Sequence, residues 1–222
     1  MLAPEKLLVE LASVPTGNIA DAMSKLGIQG GIVDGLRPLS PSQPPVAGYA
    51  LTIKQMQRHS SKTESILARH SAVIDEQTES SSLIVIDAGG RTDVCTGGSM
   101  LMLRAKLLGA KGCLINGCLR DVAEIAALEF PVYYIRPCPR KSSPELQTVA
   151  VNEPVEIGGV QICKGDIVVM DDTGVIVIPA IKGEEVLLEA QKIKKKETLW
   201  VELLKEGKTF AEARQICAET FG

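Results

Sequence analysis

The sequence predicts a single α/β domain with a mixed central sheet, flanking helices and a helical extension at the carboxyl end. Three observations support this fold class. Strand and helix patterns alternate between residues 82 and 137, which is typical of a parallel sheet with crossover helices. Short apolar runs separated by polar turns over residues 160–179 indicate antiparallel strands. A long charged helix is predicted over residues 182–205, so we expect residues 1–205 to form one unit, with a helix in residues 206–222 belonging to it.

The elements before the alternating region are a helix, a strand and a second helix. Residues 15–27 predict a helix, in which Thr16 or Asn18 can act as the cap. After a connection rich in proline and glycine, residues 49–56 predict a strand. Residues 62–79 have helical periodicity. These elements lead into the first buried strand.

The alternating region consists of three apolar runs with amphipathic segments between them. Strands are predicted at residues 82–90, 113–117 and 132–137, and helices at residues 99–112 and 120–130. The helices are long enough to return the chain for parallel pairing. The carboxyl ends of the strands should therefore lie at one edge, where α/β sheets bind ligands.

Two helices complete the chain. The helix over residues 182–205 carries an apolar series on a charged background, which predicts that it packs against another surface, with a partner subunit as one candidate. Its members are Val186, Ala190, Ile193, Trp200 and Leu204. The last helix should begin near Thr209, because Thr209 and Glu212 have the spacing of a capping box.

Composition excludes several classes of function. The chain has 24 Lys and Arg against 27 Asp and Glu, and aromatic residues make up only 3%, so neither a basic field nor a base-stacking platform for nucleic acid is indicated. No segment is long and apolar enough to span a membrane. The six cysteines include no C-x-x-C pair, which together with the charged amino terminus indicates a cytoplasmic protein.

Arg120 and Asp121 stand together where an apolar run ends. One interpretation is a helix start, in which Asp121 is the cap and Glu124 completes a capping box. The other is a ligand site, because a carboxylate can hold a metal ion and a guanidinium can bind an anionic oxygen bidentately. Spacing alone leaves both interpretations open.

The loop before the helix at residue 99 contains two glycine pairs within "DAGGRTDVCTGGSML". Glycines allow a ligand to approach the main chain, and the N–H groups of Ser99, Met100 and Leu101 at a helix start form an anion site. The alternative is an ordinary turn with glycine at the cap. No dinucleotide or P-loop pattern accompanies the loop, so nucleotide binding is not indicated.

The ligand chemistry points to a metal held by oxygen atoms. The two histidines, His59 and His70, form no H-E-x-x-H motif, and His70 lies on the apolar side of its predicted helix. No cysteine group has zinc spacing, which leaves Mg²⁺ or Mn²⁺ with several waters retained. Asp171 and Asp172 precede Thr-Gly and are interpreted as a hairpin turn.

The stretch "GGSMLMLRAKLLGAKGCLINGCLRDVAE" resembles the signature of the RraA-like family, named for a regulator of ribonuclease E activity. Further similarity lies in "NIADAMSKLG", "VIDAGG" and "GGVQICKGDIVVMDDTGVIVIP", so the resemblance covers residues 15–200. The family includes class II 4-hydroxy-4-methyl-2-oxoglutarate aldolases. The resemblance implies a swivelling ββα fold and ring-shaped homotrimers, sometimes stacked as hexamers, with the active site between subunits.

The resemblance also assigns roles to residues. It implies that Arg120 binds the pyruvate part of the substrate and that Asp121 holds the divalent metal. Main-chain groups from Gly98 to Leu101 would grip the carboxylate, and Glu124 belongs to the matching motif. A Glu from the neighbouring subunit's carboxyl-terminal helix would contribute, and Glu197 is the candidate. Ser99 stands where many members of the family carry an acid.

The expected activity is metal-dependent cleavage of a 4-hydroxy-2-oxo acid to pyruvate and a second carbonyl compound. Oxaloacetate decarboxylation is an expected side activity, because it passes through the same pyruvate enolate. The alternative is a binding protein that inhibits a ribonuclease by protein contact, without lyase chemistry.

Overall fold

A computed structural model describes residues 2–58, 70–141 and 145–221. Its helices are α1 Pro4–Ala12, α2 Thr16–Lys25, α3 His70–Gln77, α4 Ser99–Leu107, α5 Val122–Ala127, α6 Gly183–Lys205 and α7 Phe210–Phe221. Its strands are β1 Arg37–Pro38, β2 Val46–Gln57, β3 Ser82–Asp87, β4 Cys95–Gly97, β5 Gly112–Asn116, β6 Cys118–Leu119, β7 Val132–Tyr134, β8 Arg136–Pro137, β9 Leu146–Val151, β10 Val155–Ile157, β11 Val160–Ile162, β12 Ile167–Met170 and β13 Val175–Ile178.

The predicted mixed α/β fold is confirmed. The large sheet has the order β1-β7-β5-β3-β2-β12-β13, and β9 also pairs with β2. Strands β2, β3, β5 and β7 are parallel, whereas β1, β9, β12 and β13 add antiparallel pairs. Strand β2 pairs with β12 along its first half and with β9 along its second. The parallel strands have their carboxyl ends at one edge, as predicted.

Alternate residues of the parallel strands enter two different cores. Ile84 and Ile86 of β3 face a core shared with α3, α4 and α5, whereas Leu83 and Val85 face the opposite side. There they contact the β10–β11 hairpin. This alternation follows from the period of two along a strand that is buried on both faces.

Two predicted strands differ from the structure. The apolar run after residue 112 is interrupted at Gly117, so that β5 stays in the large sheet and β6 joins a small parallel sheet with β4 and β8. A Cβ atom at Gly117 would lie 2.6 Å from Oγ1 of Thr96, so the close approach of β4 requires glycine here. Strand β11 pairs with β10 and not with β12.

The helices agree with the sequence pattern, with one correction. Helix α2 is not capped by Thr16 or Asn18, because Pro15 occupies the cap position and the Asp171 carboxylate accepts hydrogen bonds from Thr16. Of the helix predicted over residues 62–79, the segment 62–69 lies outside the described residues. The capping box of Thr209 and Glu212 is present, with N···O distances of 2.8 and 3.3 Å.

The apolar series of α6 is covered within the chain. Val186 and Ala190 are buried in a core with α1, α2 and the β12–β13 hairpin, and Trp200 packs in a cluster with α7. The prediction that this helix packs against another surface is confirmed, but that surface belongs to the same chain and not to the partner subunit that was suggested. In the ranges described, no helix combines the length and the apolar character needed to cross a membrane.

Candidate functional site

The ends of two short parallel strands bring together the segments singled out in the sequence. Strand β4 ends at Gly97 and leads into α4, while β6 ends at Leu119 and leads into Arg120 and Asp121. The N–H of Arg120 donates to the carbonyl of Gly97 over 3.2 Å, which fixes the two exits side by side. The interruption at Gly117 thus places Arg120 and Asp121 against the start of α4.

Asp121 does not form the predicted capping box. It occupies the cap position of α5, but its backbone is left-handed, with φ 58° and ψ 38°, and its side chain makes no cap hydrogen bond. The carboxylate turns instead toward α4, where Oδ2 accepts a hydrogen bond from the N–H of Ser99 over 3.3 Å. Aspartate is one of the few residues other than glycine that adopts this conformation, which is enriched at strained functional positions.

Gly98 is required by the position of these two side chains. Its φ of −151° is extended, so backbone conformation does not demand glycine. A Cβ atom here would collide with Oδ2 of Asp121 and would lie 3.1 Å from Cγ of Arg120. Nε of Arg120 lies 3.4 Å from Oδ2 of Asp121, and about a third of each side chain is exposed. The result is a cation and an anion held together at a helix start and open to solvent.

The two glycine pairs of the loop have different roles. Gly89 and Gly90 have positive φ values of 66° and 71° and form a turn. The N–H of Gly89 donates a hydrogen bond to Oδ1 of Asp87 over 2.8 Å, which stabilises this turn. Asn116 donates to the same oxygen over 2.8 Å. The turn interpretation therefore holds for the first pair. At Gly97 and Gly98, glycine is required because neighbouring side chains approach the backbone too closely for a Cβ atom.

A cavity of about 400 Å³ opens beside Gly98. Apolar side chains of α4 form one wall. Its charged and imidazole groups are His70, Asp75, Arg104, Arg120, Asp121 and Lys141. Three cations and two carboxylates thus border the cavity, which favours an anionic ligand of small size.

The three backbone donors predicted at the start of α4 are not equivalent. The N–H of Ser99 donates to Asp121, and that of Leu101 donates to the carbonyl of Gly98 over 3.1 Å. For the N–H of Met100 the structure gives no acceptor among the described residues. Met100 and Leu101 line the cavity with Gly98, whereas Ser99 is not part of its lining.

The two predicted glutamates lie away from this cavity. Glu124 is exposed on α5, and Glu197 is exposed on α6, where its Oε2 accepts a hydrogen bond from Asn18 over 2.5 Å. Neither residue lines the cavity of its own chain. The role of Glu197 was predicted for a neighbouring subunit and stays a prediction.

His70 was not predicted to belong to the site. Its position on the apolar side of a helix suggested a core or interface residue and not a ligand, but His70, the first residue of α3, borders the cavity. Burial lowers the pKa of this imidazole, and a hydrogen bond to the backbone of Thr96 partly opposes that effect. No short-range pattern in the sequence links His70 to Arg120, because α3 and β4 bring them together through tertiary packing.

The residues present fit a hard divalent cation only in part. No three His, Cys, Asp or Glu side chains within residues 2–58, 70–141 and 145–221 converge to hold a metal ion. Mg²⁺ is commonly held by one or two carboxylates, with substrate oxygens and waters completing an octahedron. The partly exposed carboxylate of Asp121, facing a cavity that admits water and ligand, suits that kind of site.

Comparison with known proteins identifies relatives along most of the chain. A family model described as RraA-like, Aldolase/RraA, matches residues 16–177. The chain is 32% identical over 214 residues to protein DlpA of Legionella pneumophila, covering 94% of this chain but 33% of that protein. It therefore spans about a third of the length of DlpA.

Two further relatives match over most of their length. A putative 4-hydroxy-4-methyl-2-oxoglutarate aldolase of Halalkalibacterium halodurans is 31% identical over 187 residues, covering 83% of this chain and 82% of that protein. The crystal structure of Streptomyces coelicolor RraAS2, described as an unusual member of the RNase ES inhibitor RraA protein family, superimposes with a TM-score of 0.79. It is 27% identical, and the match covers 91% of this chain and 98% of that one.

Proposed function

The chain belongs to the RraA-like, or aldolase/RraA, family, and from this premise we propose that it is a divalent-metal-dependent lyase. It cleaves a 4-hydroxy-2-oxo acid to pyruvate and a second carbonyl compound. The observation that carries the proposal is the geometry of Arg120, Asp121 and Gly98. The Asp121 carboxylate does not cap α5 but lies against Gly98, next to the Arg120 guanidinium and beside the cavity. A residue that merely started α5 would be expected to have the extended backbone that is typical of a helix cap.

The reaction generates negative charge at a defined place. Breaking the bond between C3 and C4 of the substrate leaves a pyruvate enolate, whose oxygen needs a positive partner. A divalent cation, when bound, supplies a Lewis acid for that oxygen. Asp121 would hold the cation, and the guanidinium of Arg120, whose side chain lines the cavity and is 39% exposed, would bind the substrate carboxylate and offset the developing charge.

The helix start would orient the substrate. The N–H of Met100 points from the first turn of α4, where the helix dipole favours an anion. Because Ser99 and Leu101 already donate within the protein, Met100 would supply the main-chain contact to the carboxylate. The N–H of Ser99 would instead keep the Asp121 carboxylate in position.

The charges of the cavity support a substrate with a second carboxylate. Arg104 and Lys141 add two cations beyond Arg120, and Asp75 neutralises only one of them, through a contact of 2.5 Å to Nε of Arg104. A 4-hydroxy-2-oxo diacid such as 4-hydroxy-4-methyl-2-oxoglutarate carries the matching charge. Oxaloacetate fits the same description, which supports decarboxylation as a side activity.

Assembly into a ring would complete the site. The cavity is open to solvent, and α4 exposes Met100 of its lining at 77% and, further along the helix, Leu107 at 71%. A second copy covering this face, in a trimer or a hexamer, would exclude water and bring an acidic residue of α6 such as Glu197 to the metal. The contact of Glu197 with Asn18 would then orient that carboxylate.

The experiment is an assay of pyruvate release from 4-hydroxy-4-methyl-2-oxoglutarate. We expect turnover that EDTA abolishes and that Mg²⁺ or Mn²⁺ restores. Arg120→Ala and Asp121→Ala should each lower turnover by about 10²–10³-fold, which is typical of losing one charge-stabilising group. Asp172→Ala removes an exposed turn carboxylate and serves as the matched control. Full activity in either site variant would refute the proposal.

A second candidate is inhibition of a ribonuclease by contact. The similarity to Streptomyces coelicolor RraAS2, a protein described by its relation to an RNase ES inhibitor family, supports it. In this case the purified protein would slow RNA cleavage by a ribonuclease E, and Arg120→Ala would inhibit as well as the original protein. Absence of metal-dependent turnover of any 2-oxo acid would favour this candidate over the lyase.

A further inference from the structure

His70 borders the cavity, but the proposed cleavage reaction as described so far gives it no role. It begins α3, and its ring borders the same cavity as Arg120 and Asp121. One ring nitrogen donates its hydrogen to the backbone carbonyl of Thr96, in the middle of β4. Because β4 leads directly to Gly97 and Gly98, this hydrogen bond ties the imidazole to the strand that forms the site.

The hydrogen bond determines which form the imidazole adopts. A neutral imidazole has one N–H and one nitrogen with a lone pair, and the partner of the N–H selects the tautomer. With the N–H directed at Thr96, the other nitrogen is an acceptor. Burial lowers the pKa of His70, so the neutral form is the one present near pH 7. A neutral ring that borders a cavity and has an unprotonated nitrogen is equipped to accept a proton.

The other groups around the cavity are less suited to that task. The guanidinium groups of Arg104 and Arg120 are donors only. Asp75 is held by Arg104, with 2.5 Å between Oδ1 and Nε, and Asp121 accepts from Ser99 and contacts Arg120. His70 combines a ring that is hydrogen-bonded to the backbone of Thr96 with a place in the lining of the cavity.

We propose that His70 is the general base of the cleavage reaction, a role that rests on the proposed lyase function. Its unprotonated nitrogen takes the proton of the C4 hydroxyl. The O–H electron pair becomes the second C–O bond of the carbonyl product, the C3–C4 bond breaks, and its electron pair passes into the pyruvate enolate. The imidazolium then returns the proton to C3, which yields pyruvate and restores the neutral ring.

Decarboxylation of oxaloacetate provides the matched reaction, because it needs no such base. There the bond to C4 breaks as CO₂ leaves, no hydroxyl proton is removed, and water can protonate the enolate. The two substrates share the enolate and its positive partners but differ in the proton step. If His70 is the base, its loss should slow only the cleavage. If it only supports the site, its loss should slow both reactions.

The experiment compares both reactions in the full-length protein with Mg²⁺. The variants are His70→Gln and His70→Asn, whose amide groups can still donate to Thr96, and the control is Glu76→Gln on the exposed side of α3. We expect the glutamine or asparagine variant to lower kcat for 4-hydroxy-4-methyl-2-oxoglutarate by about 10²-fold or more. Oxaloacetate decarboxylation should stay within about threefold of the original protein, with KM little changed.

Three results would overturn the assignment of His70. Equal losses in both reactions would show that the ring only supports the site, and undiminished cleavage in both variants would show that another group takes the proton. In either case the original protein is active and the lyase proposal stands. If the original protein turns over neither substrate with Mg²⁺, the lyase proposal fails and the role of His70 fails with it.

Discussion

The carboxylate of Asp121 lies so close to the backbone of Gly98 that no Cβ atom fits between them. This contact joins the exit of β6 to the start of α4, and Arg120 lies against the same glycine. The geometry of the candidate site therefore depends on a missing side chain as much as on the charged ones.

Gly98→Ala should lower turnover by about 10²-fold while leaving the fold intact. The new methyl group must displace the Asp121 carboxylate and the Arg120 stem, and misplacing reacting groups by about 1 Å costs about 10²-fold in turnover. Gly17→Ala is the matched control, because Gly17 is an exposed helical glycine with open space around its Cβ position. Pyruvate release and thermal denaturation should be measured for both. A fully active Gly98→Ala protein would contradict the close approach.

Mg²⁺ should stabilise the protein through Asp121. Binding to the folded state alone contributes about 1.4 kcal/mol at a free concentration ten times Kd, which raises Tm by about 3–5 °C for a domain of this size. Asp121→Asn removes the anionic ligand, so its Tm should not respond to Mg²⁺. The measurement is a thermal shift titration, with Asp172→Asn expected to respond as the original protein does. An equal shift in the Asp121 variant would place the metal elsewhere.

Asp171 should contribute strongly to stability and not to chemistry. Its buried carboxylate accepts hydrogen bonds from Thr16 over 2.8 Å and from the N–H groups of Thr173 and Gly174. Asp171→Ala leaves these donors without acceptors, and we expect a loss of about 2–4 kcal/mol in the free energy of unfolding.

The neighbouring carboxylate provides the comparison. Asp172 is exposed in the same turn, and Asp172→Ala should change the free energy of unfolding by no more than about 0.5 kcal/mol. Urea denaturation of both variants measures the difference. Similar values for the two would show that the link between the β12–β13 turn and α2 has little weight.

His70 should make stability depend on pH in the mildly acidic range. Burial lowers its pKa in the folded protein below the ordinary value of 6.5, so the unfolded chain binds a proton first as the pH falls. Stability from this group is fully present above pH 6.5 and is lost on acidification toward the folded pKa. The free energy of unfolding, measured between pH 5 and 7.5, should therefore vary less in His70→Gln than in the original protein.

The sequence was sufficient to predict the parts of the site that lie close together in the chain. The exit of the apolar run at Arg120 and the helix start at Ser99 are marked by residues that follow one another directly, and both are found where predicted. The hairpin turn at Asp171 is also confirmed, since β12 and β13 pair on either side of it. It could be predicted because Asp-Asp-Thr-Gly is a local turn signal. In each case the residue types within a few positions of one another were enough for the prediction.

The parts that were missed depend on packing between distant elements. The left-handed backbone of Asp121 cannot be distinguished from a normal cap by spacing, since both place Glu124 three residues later. His70 joins the cavity only because tertiary packing brings the start of α3 to Thr96 of β4. The apolar series of α6 was assigned to a partner subunit because nothing local shows that α1, α2 and α7 cover it.

The pairing of β2 has a consequence for the chain as it leaves the ribosome. Val46 to Tyr49 lie opposite Met170 to Ile167, so this edge of the strand finds its partner about 120 residues later in synthesis. Until then its backbone N–H and C=O groups are open to pairing with other chains, which is a known route to aggregation. Co-translational folding of the large sheet should therefore finish only after residues 167–170 emerge, and nascent chains that stop earlier should need protection by a chaperone.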